Sequence, residues 1–278
     1  MIHNEYKWKG LDGIMLFGQS WMPDTNPRTV INYVHGFKDH SSRFEKWAVR
    51  LAHEGYGVIA IDLRGHGHSA GRRGYAKNFN CYLDDVSVLR RHAEEMHGHA
   101  YQILYGHSLG GNLVTNYLIA GQQMPDAAVV SSPWFTLSSK PSWLKMAMAR
   151  IMRTFLPGMS ISSELEVQYL SHNDDVVSAY LRDPLVHNLI RPKLFLEIEK
   201  NGLMASRGIY KINIPLLVMH GTDDHITSYR QTKSFVANAG QITTFKPWPD
   251  GYHELHNDFQ EKEVFEYLLN WIRQTETH

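Results

Sequence analysis

Ser108 lies in the sequence GHSLG (residues 106–110), the G-x-S-x-G spacing that holds a serine nucleophile on a tight turn. The preceding apolar run, YQILY at 101–105, predicts a buried parallel strand, and NLVTNYL at 112–118 has apolar residues at helical spacing. The two glycines relieve the steric crowding of such a turn. The alternative is an ordinary serine in a glycine-rich loop. The flanking strand and helix favour the nucleophile.

A serine nucleophile needs a base to accept its proton and a carboxylate to orient that base. Asp224 follows an apolar run at 214–220, and His253 follows the last predicted strand. Because catalytic groups gather at the carboxyl ends of parallel strands, we expect all three side chains at one rim of the sheet. Asp223 is an alternative acid, but such a bystander usually caps a turn. His256 is an alternative base, or a solvated residue at a helix start. We favour Asp224 and His253.

The tetrahedral intermediate of acyl transfer also needs N–H donors for its oxyanion. By position, these are the backbone N–H of Leu109, directly after the serine, and that of Phe37, in the loop after an early strand. His35 lies in the same loop. We expect it to form hydrogen bonds within the loop and to take no part in catalysis.

The elements that must position these residues alternate along the chain. Strands are predicted at 14–21, 30–34, 58–61, 101–105, 127–131, 214–220 and 242–245, and helices at 43–54, 82–96, 228–239 and 261–272. This alternation predicts an α/β fold in which helices flank a mainly parallel central sheet.

The alternation stops at Pro133 and resumes after residue 210. The intervening residues are rich in Trp, Met, Phe and Leu. We therefore predict a core formed by residues 1–132 and 211–278. Residues 133–210, called the cap segment below, form an insertion between two strands of that core.

The composition excludes several function classes. The chain has 278 residues, 43% of them hydrophobic, which is enough for one large domain with a buried core. Lys and Arg balance Asp and Glu at 28 each, so nothing indicates nucleic acid as a partner. The single cysteine, Cys81, excludes an intrachain disulfide and suits a reducing compartment. With no leader-like or membrane-spanning run, we expect a soluble, cytoplasmic protein.

A basic amphipathic helix is predicted in the cap segment, between Pro141 and Pro157. No acidic residue occurs from 131 to 163. The basic residues of this stretch are Lys140, Lys145, Arg150 and Arg153, and its apolar stripe is Leu144, Met148, Ile151 and Phe155.

Two interpretations of this helix remain open. With the aromatic residues Trp134, Phe135 and Trp143 nearby, it is typical of an element that lies on a membrane surface. Alternatively, it packs its stripe on the core and keeps its basic face in water. Either arrangement predicts an apolar cover over Ser108, so Trp134, Phe135 and the four residues of the stripe are candidate contacts for an acyl chain.

The seventeen histidines raise the question of a metal site. His66 and His68 form one pair, and His97 and His99 another. Neither pair has a cysteine or carboxylate set at ligand spacing. We predict neither a metal nor a cofactor.

Several segments together resemble the monoacylglycerol lipase and lysophospholipase branch of the serine α/β-hydrolases. They are HGF at 35–37, HSSRF at 40–44, DLRGHGHS at 62–69, GRRG at 71–74, GHSLG at 106–110, DPL at 183–185, GTDD at 221–224 and YHE at 252–254. The resemblance implies an α/β-hydrolase fold and hydrolysis of a glycerol monoester or related lysolipid. It also implies that the acid is Asp224, three residues after Gly221. Phe37 departs from the family pattern, in which a smaller residue is common.

The sequence therefore predicts a serine ester hydrolase that acts on monoacyl lipids, most simply on monoacylglycerol. Lysophospholipase and general carboxylesterase are the alternatives. A peptidase is less expected, because the helical part of the cap segment offers no carboxylate before Glu164 to bind an α-amino group. A ligand receptor on a hydrolase scaffold would have no need of the acid and base that this chain retains.

Overall fold

The computed structural model describes residues 1–121, 123–139, 142–155, 159–162, 165–210 and 212–276, apart from the side chains of Lys145 and Thr154. The predicted residues Lys140, Pro141, Pro157 and Glu164 thus lie outside the described part of the chain. Within the described residues, no helix is both long enough and apolar enough to cross a bilayer.

An eight-stranded sheet forms the centre of the molecule. Its strands are β1 (Ile2–Lys9), β2 (Met15–Met22), β3 (Thr29–Val34), β4 (Gly57–Ile61), β5 (Tyr101–His107), β6 (Ala127–Ser131), β9 (Leu216–Gly221) and β10 (Thr243–Trp248). Their order is β1-β2-β4-β3-β5-β6-β9-β10. All pairs from β4 to β10 are parallel, whereas β2 pairs antiparallel with β1 and with β4. The predicted mainly parallel sheet is confirmed.

Helices cover both faces of the sheet, so its central strands are apolar on both sides. In β3, Val30 and Val34 face one apolar cluster, while Ile31 and Tyr33 face the other. Helices α2 (Asn80–His97), α3 (Leu109–Ala120) and α7 (Tyr229–Asn238) contribute to the first cluster, and α1 (Glu45–His53) and α8 (Glu261–Thr275) to the second. The result is the predicted arrangement in which helices flank a central sheet.

The chain leaves the sheet after β6 and returns at its neighbour β9. Between these strands lie α4 (Trp143–Phe155), β7 (Ile161–Ser162), α5 (Asp174–Arg182), β8 (Leu189–Ile190) and α6 (Pro192–Arg207). Strands β7 and β8 pair with each other as a separate two-stranded sheet. Helix α6 packs on α3, α4 and α7, so it joins this inserted segment to the sheet-flanking helices.

Candidate active site

Ser108 lies on a strained turn between β5 and α3. Its φ of 54° is in a backbone region that residues other than glycine rarely adopt. The two motif glycines are required by close contacts. A Cβ at Gly106 would collide with the Gly110 carbonyl oxygen, and a Cβ at Gly110 would collide with the Val34 carbonyl oxygen. The turn is therefore fixed by backbone packing, and the Ser108 side chain lies at the carboxyl end of β5.

Three of the predicted site residues converge in one line of hydrogen bonds. The distance from Ser108 Oγ to His253 Nε2 is 3.0 Å, and that from His253 Nδ1 to Asp224 Oδ2 is 2.8 Å. All three residues are buried. This geometry permits the imidazole to accept the serine proton while the carboxylate holds the ring in one orientation.

The alternative acid and base occupy different environments. The Asp223 side chain is exposed and pairs with His225, with 3.1 Å between the carboxylate oxygen and Nε2. His256 is buried, contrary to the solvated position considered from the sequence, and its ring centroid lies 4.9 Å from that of His107. The rings of Phe44 and Trp47 also lie against it, and burial lowers the pKa of His256 although the Glu254 and Asp39 carboxylates oppose this.

Asp224 is held by more partners than the sequence indicated. Its Oδ1 accepts hydrogen bonds from the backbone N–H groups of Ile226 and Thr227 at 2.8 and 2.9 Å. Its Oδ2 accepts the Thr227 hydroxyl at 2.8 Å and lies 3.1 Å from Nε2 of a second histidine, His220. His220 ends the apolar run before the acid, and Thr227 lies three residues after the acid. In the sequence, only the nearness of His220 and Thr227 to Asp224 could have indicated that they contact the carboxylate.

The electrostatic environment couples the acid to the base. Burial raises the pKa of Asp224, but the neighbouring His253 and hydrogen bonds from both histidines outweigh burial and hold the pKa well below its ordinary value. Burial lowers the pKa of His253, but the Asp224 carboxylate and more distant acidic groups outweigh it and raise the pKa above its ordinary value. Asp224 thus stays ionised and stabilises an imidazolium at His253.

The loop that contains Phe37 adjoins the serine. A Cβ at Gly36 would lie 3.1 Å from Ser108 Cβ. Leu109 begins α3, so its backbone N–H has no carbonyl within the helix. Among the described residues, no acceptor is paired with the N–H of Phe37 or Leu109. His35 donates from Nδ1 to the Gly36 carbonyl in its own loop, as expected, but its Nε2 also accepts the backbone N–H of Leu63, which lies in the loop after β4.

A narrow, mostly apolar cavity opens beside Ser108, with a volume of about 80 Å³. Its apolar lining consists of Phe37, Trp134, Leu137, Leu165, Leu170, Phe195 and Ile226, and its polar lining includes Lys38, Asp39, Tyr180, Thr227 and Glu254. Sites for drug-sized ligands measure roughly 300–1,000 Å³. In this conformation the cavity therefore holds only part of a lipid.

The candidate acyl contacts are distributed differently from the sequence expectation. Trp134 does line the cavity. Phe135 instead packs in the core, with its ring centroid 5.0 Å from that of Phe235. The stripe residues of α4 do not line the cavity either. Their exposed fractions are 55% for Leu144, 52% for Met148, 58% for Ile151 and 76% for Phe155. The stripe faces outward because α4 contacts α6 through its other side, where Ala149 is buried.

Sequence reasoning also missed an ion network behind the base. Glu254 accepts two hydrogen bonds of 2.6 Å from Arg43, whose Nε lies 3.0 Å from Asp39. The Arg43 guanidinium lies 4.7 Å from the ring centroid of Tyr180 in α5. The motif YHE places Glu254 next to His253, but the sequence alone does not show which cation pairs with it.

The predicted histidine pairs occupy separate environments. His66 is buried and bonds to the Arg64 carbonyl, whereas the rings of His97 and His99 lie 6.1 Å apart near the end of α2. The described residues contain no group of three or more His, Cys, Asp or Glu side chains that could hold a metal ion.

Comparison with known proteins extends these observations. A protein-family model described as serine aminopeptidase, S33, matches residues 25–260. An uncharacterized abhydrolase domain-containing protein of Dictyostelium discoideum is 32% identical over 92% of this chain, which spans only 27% of that protein. A monoacylglycerol lipase of Mycolicibacterium smegmatis is 30% identical, and the match covers 97% of this chain and 96% of that protein.

A solved structure is also similar to this chain over nearly the whole length of both. The crystal structure of Paleococcus ferrophilus monoacylglycerol lipase is 29% identical and matches with a TM-score of 0.82, covering 99% of this chain and 100% of that chain. The resemblance to monoacylglycerol lipases and the α/β-hydrolase fold are both confirmed. The chain belongs to the serine aminopeptidase S33 family of hydrolases.

Proposed function

We propose that this protein hydrolyses the ester bond of monoacylglycerols through an acyl-enzyme on Ser108. The observation that carries the proposal is the line from Ser108 through His253 to Asp224, with distances of 3.0 and 2.8 Å, beside a mostly apolar cavity. Two relatives that match over nearly their whole length are named monoacylglycerol lipases, which supports this substrate class.

In the proposed mechanism, Ser108 Oγ attacks the ester carbonyl while His253 Nε2 accepts the serine proton. The N–H groups of Phe37 and Leu109 stabilise the oxyanion. His253 then donates its proton to the glycerol oxygen, which leaves. Water, activated by the same imidazole, hydrolyses the acyl-enzyme and regenerates the serine. Asp224 stabilises the imidazolium in both steps.

The cavity also argues against a peptidase. A free α-amino group would need an available carboxylate, and two carboxylates line the cavity, those of Asp39 and Glu254. Both are already paired with Arg43. Lys38 lines the same cavity and would repel an ammonium group.

Ser108→Ala tests the proposal. The variant should fold normally and lose several orders of magnitude in kcat, since only oxyanion stabilisation and binding would remain. A fluorophosphonate should label the wild type at Ser108 and leave the variant unlabelled. Hydrolysis of monoacylglycerols, lysophospholipids and simple esters of matched chain length identifies the substrate class. Labelling at another residue, or full activity in Ser108→Ala, would refute the assignment.

We also propose that residues 133–210 act as a cap over a core formed by residues 1–132 and 211–278. Six residues of this segment contribute to the cavity lining, namely Trp134, Leu137, Leu165, Leu170, Tyr180 and Phe195. Because the cavity measures only about 80 Å³ in this conformation, we expect a long acyl chain to require a shift of the cap. Esters of increasing chain length should therefore show a rising KM in a variant that cross-links the cap to the core.

Peripheral contact of α4 with an anionic lipid surface is a further part of the proposal. The exposed apolar stripe is flanked by Trp143, which is 80% exposed, and by the exposed basic residues Arg150 and Arg153. Each basic residue near such a surface contributes about 1 kcal/mol of attraction. Arg150→Gln with Arg153→Gln should weaken binding to vesicles that contain phosphatidylserine and reduce its salt dependence. Unchanged vesicle binding at low salt would contradict this proposal without affecting the assignment of Ser108.

A further inference from the structure

A cluster of aromatic and imidazole rings lies around Phe37. The Phe37 ring centroid lies 5.1 Å from that of His66 and 5.8 Å from that of His187. The two imidazoles are themselves 4.9 Å apart. His187 belongs to the loop between α5 and β8, so the cluster joins the candidate oxyanion loop to the cap segment.

His187 presents a buried hydrogen-bond donor with no acceptor. Its Nδ1 accepts the backbone N–H of Leu189 at 3.3 Å, so the proton of the neutral ring is on Nε2. Nε2 is buried and has no partner among the described residues. Burial, together with the charges of Arg73 and Lys38, lowers the pKa of His187 to about 4. The imidazole is therefore a neutral donor near two cations.

Arg73 presents a second buried donor. Its Nη2 donates to the Gly67 carbonyl at 2.7 Å, while Nη1 is buried without a hydrogen-bond partner in the described part of the chain. Nor does any described carboxylate lie within ion-pair distance of this guanidinium. A buried guanidinium hydrogen without an acceptor is costly, so it calls for a ligand or water.

Lys38 connects this cluster to the cavity beside Ser108. It lines the cavity, and its residue is only 4% exposed. Its φ of 62° is unusual for a residue with a side chain. Its carbonyl accepts the Tyr180 hydroxyl at 3.3 Å, which ties the strained position to α5. Lys38 thus lines the cavity beside Ser108, and its charge also acts on His187.

Two cations and a neutral N–H donor together match a phosphate group, because arginine and phosphate form parallel charge-assisted hydrogen bonds. His66 Nε2 is the one acceptor of the cluster. It is buried and without a partner among the described residues, and it suits a hydroxyl of a singly protonated phosphate or a water. Asp39 and Glu254 also line the cavity, and Arg43 pairs with both, which compensates one of their two charges.

We propose that Arg73, Lys38 and His187 form a phosphate-binding subsite next to the candidate oxyanion hole, which admits monoacyl lipids whose glycerol carries a phosphate. Hydrolysis of such a substrate rests on the proposed function of Ser108, but binding of the phosphate does not. Arg73 and His187 do not line the cavity in this conformation. The phosphate would reach them past the side chain of Phe37.

A ratio of specificity constants tests the subsite. We would measure kcat/KM for the octanoyl ester of glycerol and for the octanoyl ester of glycerol phosphate. In Arg73→Gln, the kcat/KM for the phosphate ester divided by that for the neutral ester should fall about tenfold or more, because one charge-assisted hydrogen bond to the phosphate is lost. Arg73→Lys should retain part of the ratio. The matched control is Arg72→Gln, which removes the same charge from an exposed neighbour and should leave the ratio unchanged.

Thermal unfolding with added glycerol phosphate gives a second measurement that is independent of turnover. Glycerol phosphate should raise the Tm of the wild type and of Arg72→Gln, but not that of Arg73→Gln, at matched chloride concentration. The same measurement with inorganic phosphate shows whether the phosphate group alone is bound or whether the glycerol ester is needed.

The outcomes are distinguishable. If Ser108 is labelled and neutral esters are hydrolysed, but glycerol phosphate neither stabilises the protein nor competes, the subsite is refuted and the hydrolase proposal stands. The subsite is also refuted if Arg72→Gln and Arg73→Gln lower the ratio equally. If no ester is hydrolysed but the Arg73-dependent stabilisation persists, the subsite stands and the proposed function fails.

Discussion

At Ser108, the proposed nucleophile, the backbone conformation fixes the position of the side chain. The φ of 54° places Oγ at the end of β5, next to Gly36 and within 3.0 Å of His253 Nε2. This position could be predicted from the sequence because two glycines at fixed spacing permit the turn. The partners of Asp224 could not, since His220 and Thr227 reach the carboxylate only when β9 and the following loop fold together.

Gly110→Ala should destabilise the protein, because the new Cβ would meet the Val34 carbonyl oxygen, which belongs to a sheet strand and cannot move freely. Overpacking of this kind costs about 1–3 kcal/mol. Urea unfolding measures the change. Gly121→Ala is a useful control, since a Cβ there meets no atom within 4 Å and only the φ of 63° opposes it. Equal stabilities of Gly110→Ala and the wild type would contradict the packing argument.

Asp224→Asn should reduce kcat by up to about 10⁴-fold, by analogy with serine proteases, because it removes the charge that stabilises the imidazolium. Asp223→Asn should have little effect on kcat, since that side chain is exposed and pairs only with His225 among the described residues. Steady-state hydrolysis of a soluble ester compares the two variants. The reverse ranking would assign the role of the acid to Asp223.

The pH dependence of catalysis follows from the pKa of His253. Only the neutral imidazole accepts the serine proton, so kcat/KM should rise with pH through a midpoint above 6.5. Asp224 raises this pKa, and Asp224→Asn should therefore move the midpoint downward as well as lower the plateau. A pH–rate profile with a short soluble ester measures both. A midpoint that does not move on loss of the carboxylate would contradict the assigned coupling.

At the scale of elements, the sequence predicts what is amphipathic but not what each apolar face contacts. The β-strands and helices of the core were predictable because both have buried apolar patterns. Strand β1 was missed, since it pairs only at the sheet edge and buries only Trp8, which leaves little hydrophobic alternation. The stripe of α4 was correctly identified as apolar, but its outward orientation depends on the contact with α6.

Because the α4 stripe is exposed, substitutions in it should weaken lipid binding without lowering the stability of the fold. Phe155→Ser should change the free energy of unfolding by less than about 0.5 kcal/mol, because this side chain is 76% exposed. Phe135→Ala, in the buried core, should cost about 3–5 kcal/mol. Urea unfolding and vesicle co-sedimentation distinguish the two residues. A large loss of stability in Phe155→Ser would show that the stripe packs on the core.

At the scale of the whole molecule, the inserted segment and the loop that contains His253 share backbone hydrogen bonds. The N–H of His253 donates to the Tyr169 carbonyl at 3.3 Å, and that of Glu254 donates to the Leu170 carbonyl at 2.8 Å. Arg43 extends the connection, since it pairs with Glu254 and Asp39 and contacts Tyr180. No sequence pattern predicts this connection, because its members come from four separate segments.

Arg43→Met should therefore affect both stability and catalysis. It leaves two buried carboxylates without their cation, and breaking a buried pair in this way costs about 3–5 kcal/mol. Burial raises the pKa of Glu254, but Arg43 outweighs it and holds the folded-state pKa below 4.5. The stabilisation from this pair is thus present at neutral pH and is lost as the pH falls through that lowered pKa.

Urea unfolding of the wild type, Arg43→Met and Arg43→Lys at several pH values would measure this effect. The gap between wild type and Arg43→Met should be largest at neutral pH and narrow in acid, where Glu254 becomes protonated in both proteins. Arg43→Lys should lie between them, since one ammonium nitrogen cannot replace both Nη2 beside Glu254 and Nε beside Asp39. The kcat of Arg43→Met should also fall, because Glu254 follows His253 directly and its ion pair with Arg43 would no longer hold the loop of His253 in place. A stability gap that is the same at every pH would mean that Arg43 acts by packing against Tyr180 and not by its charge.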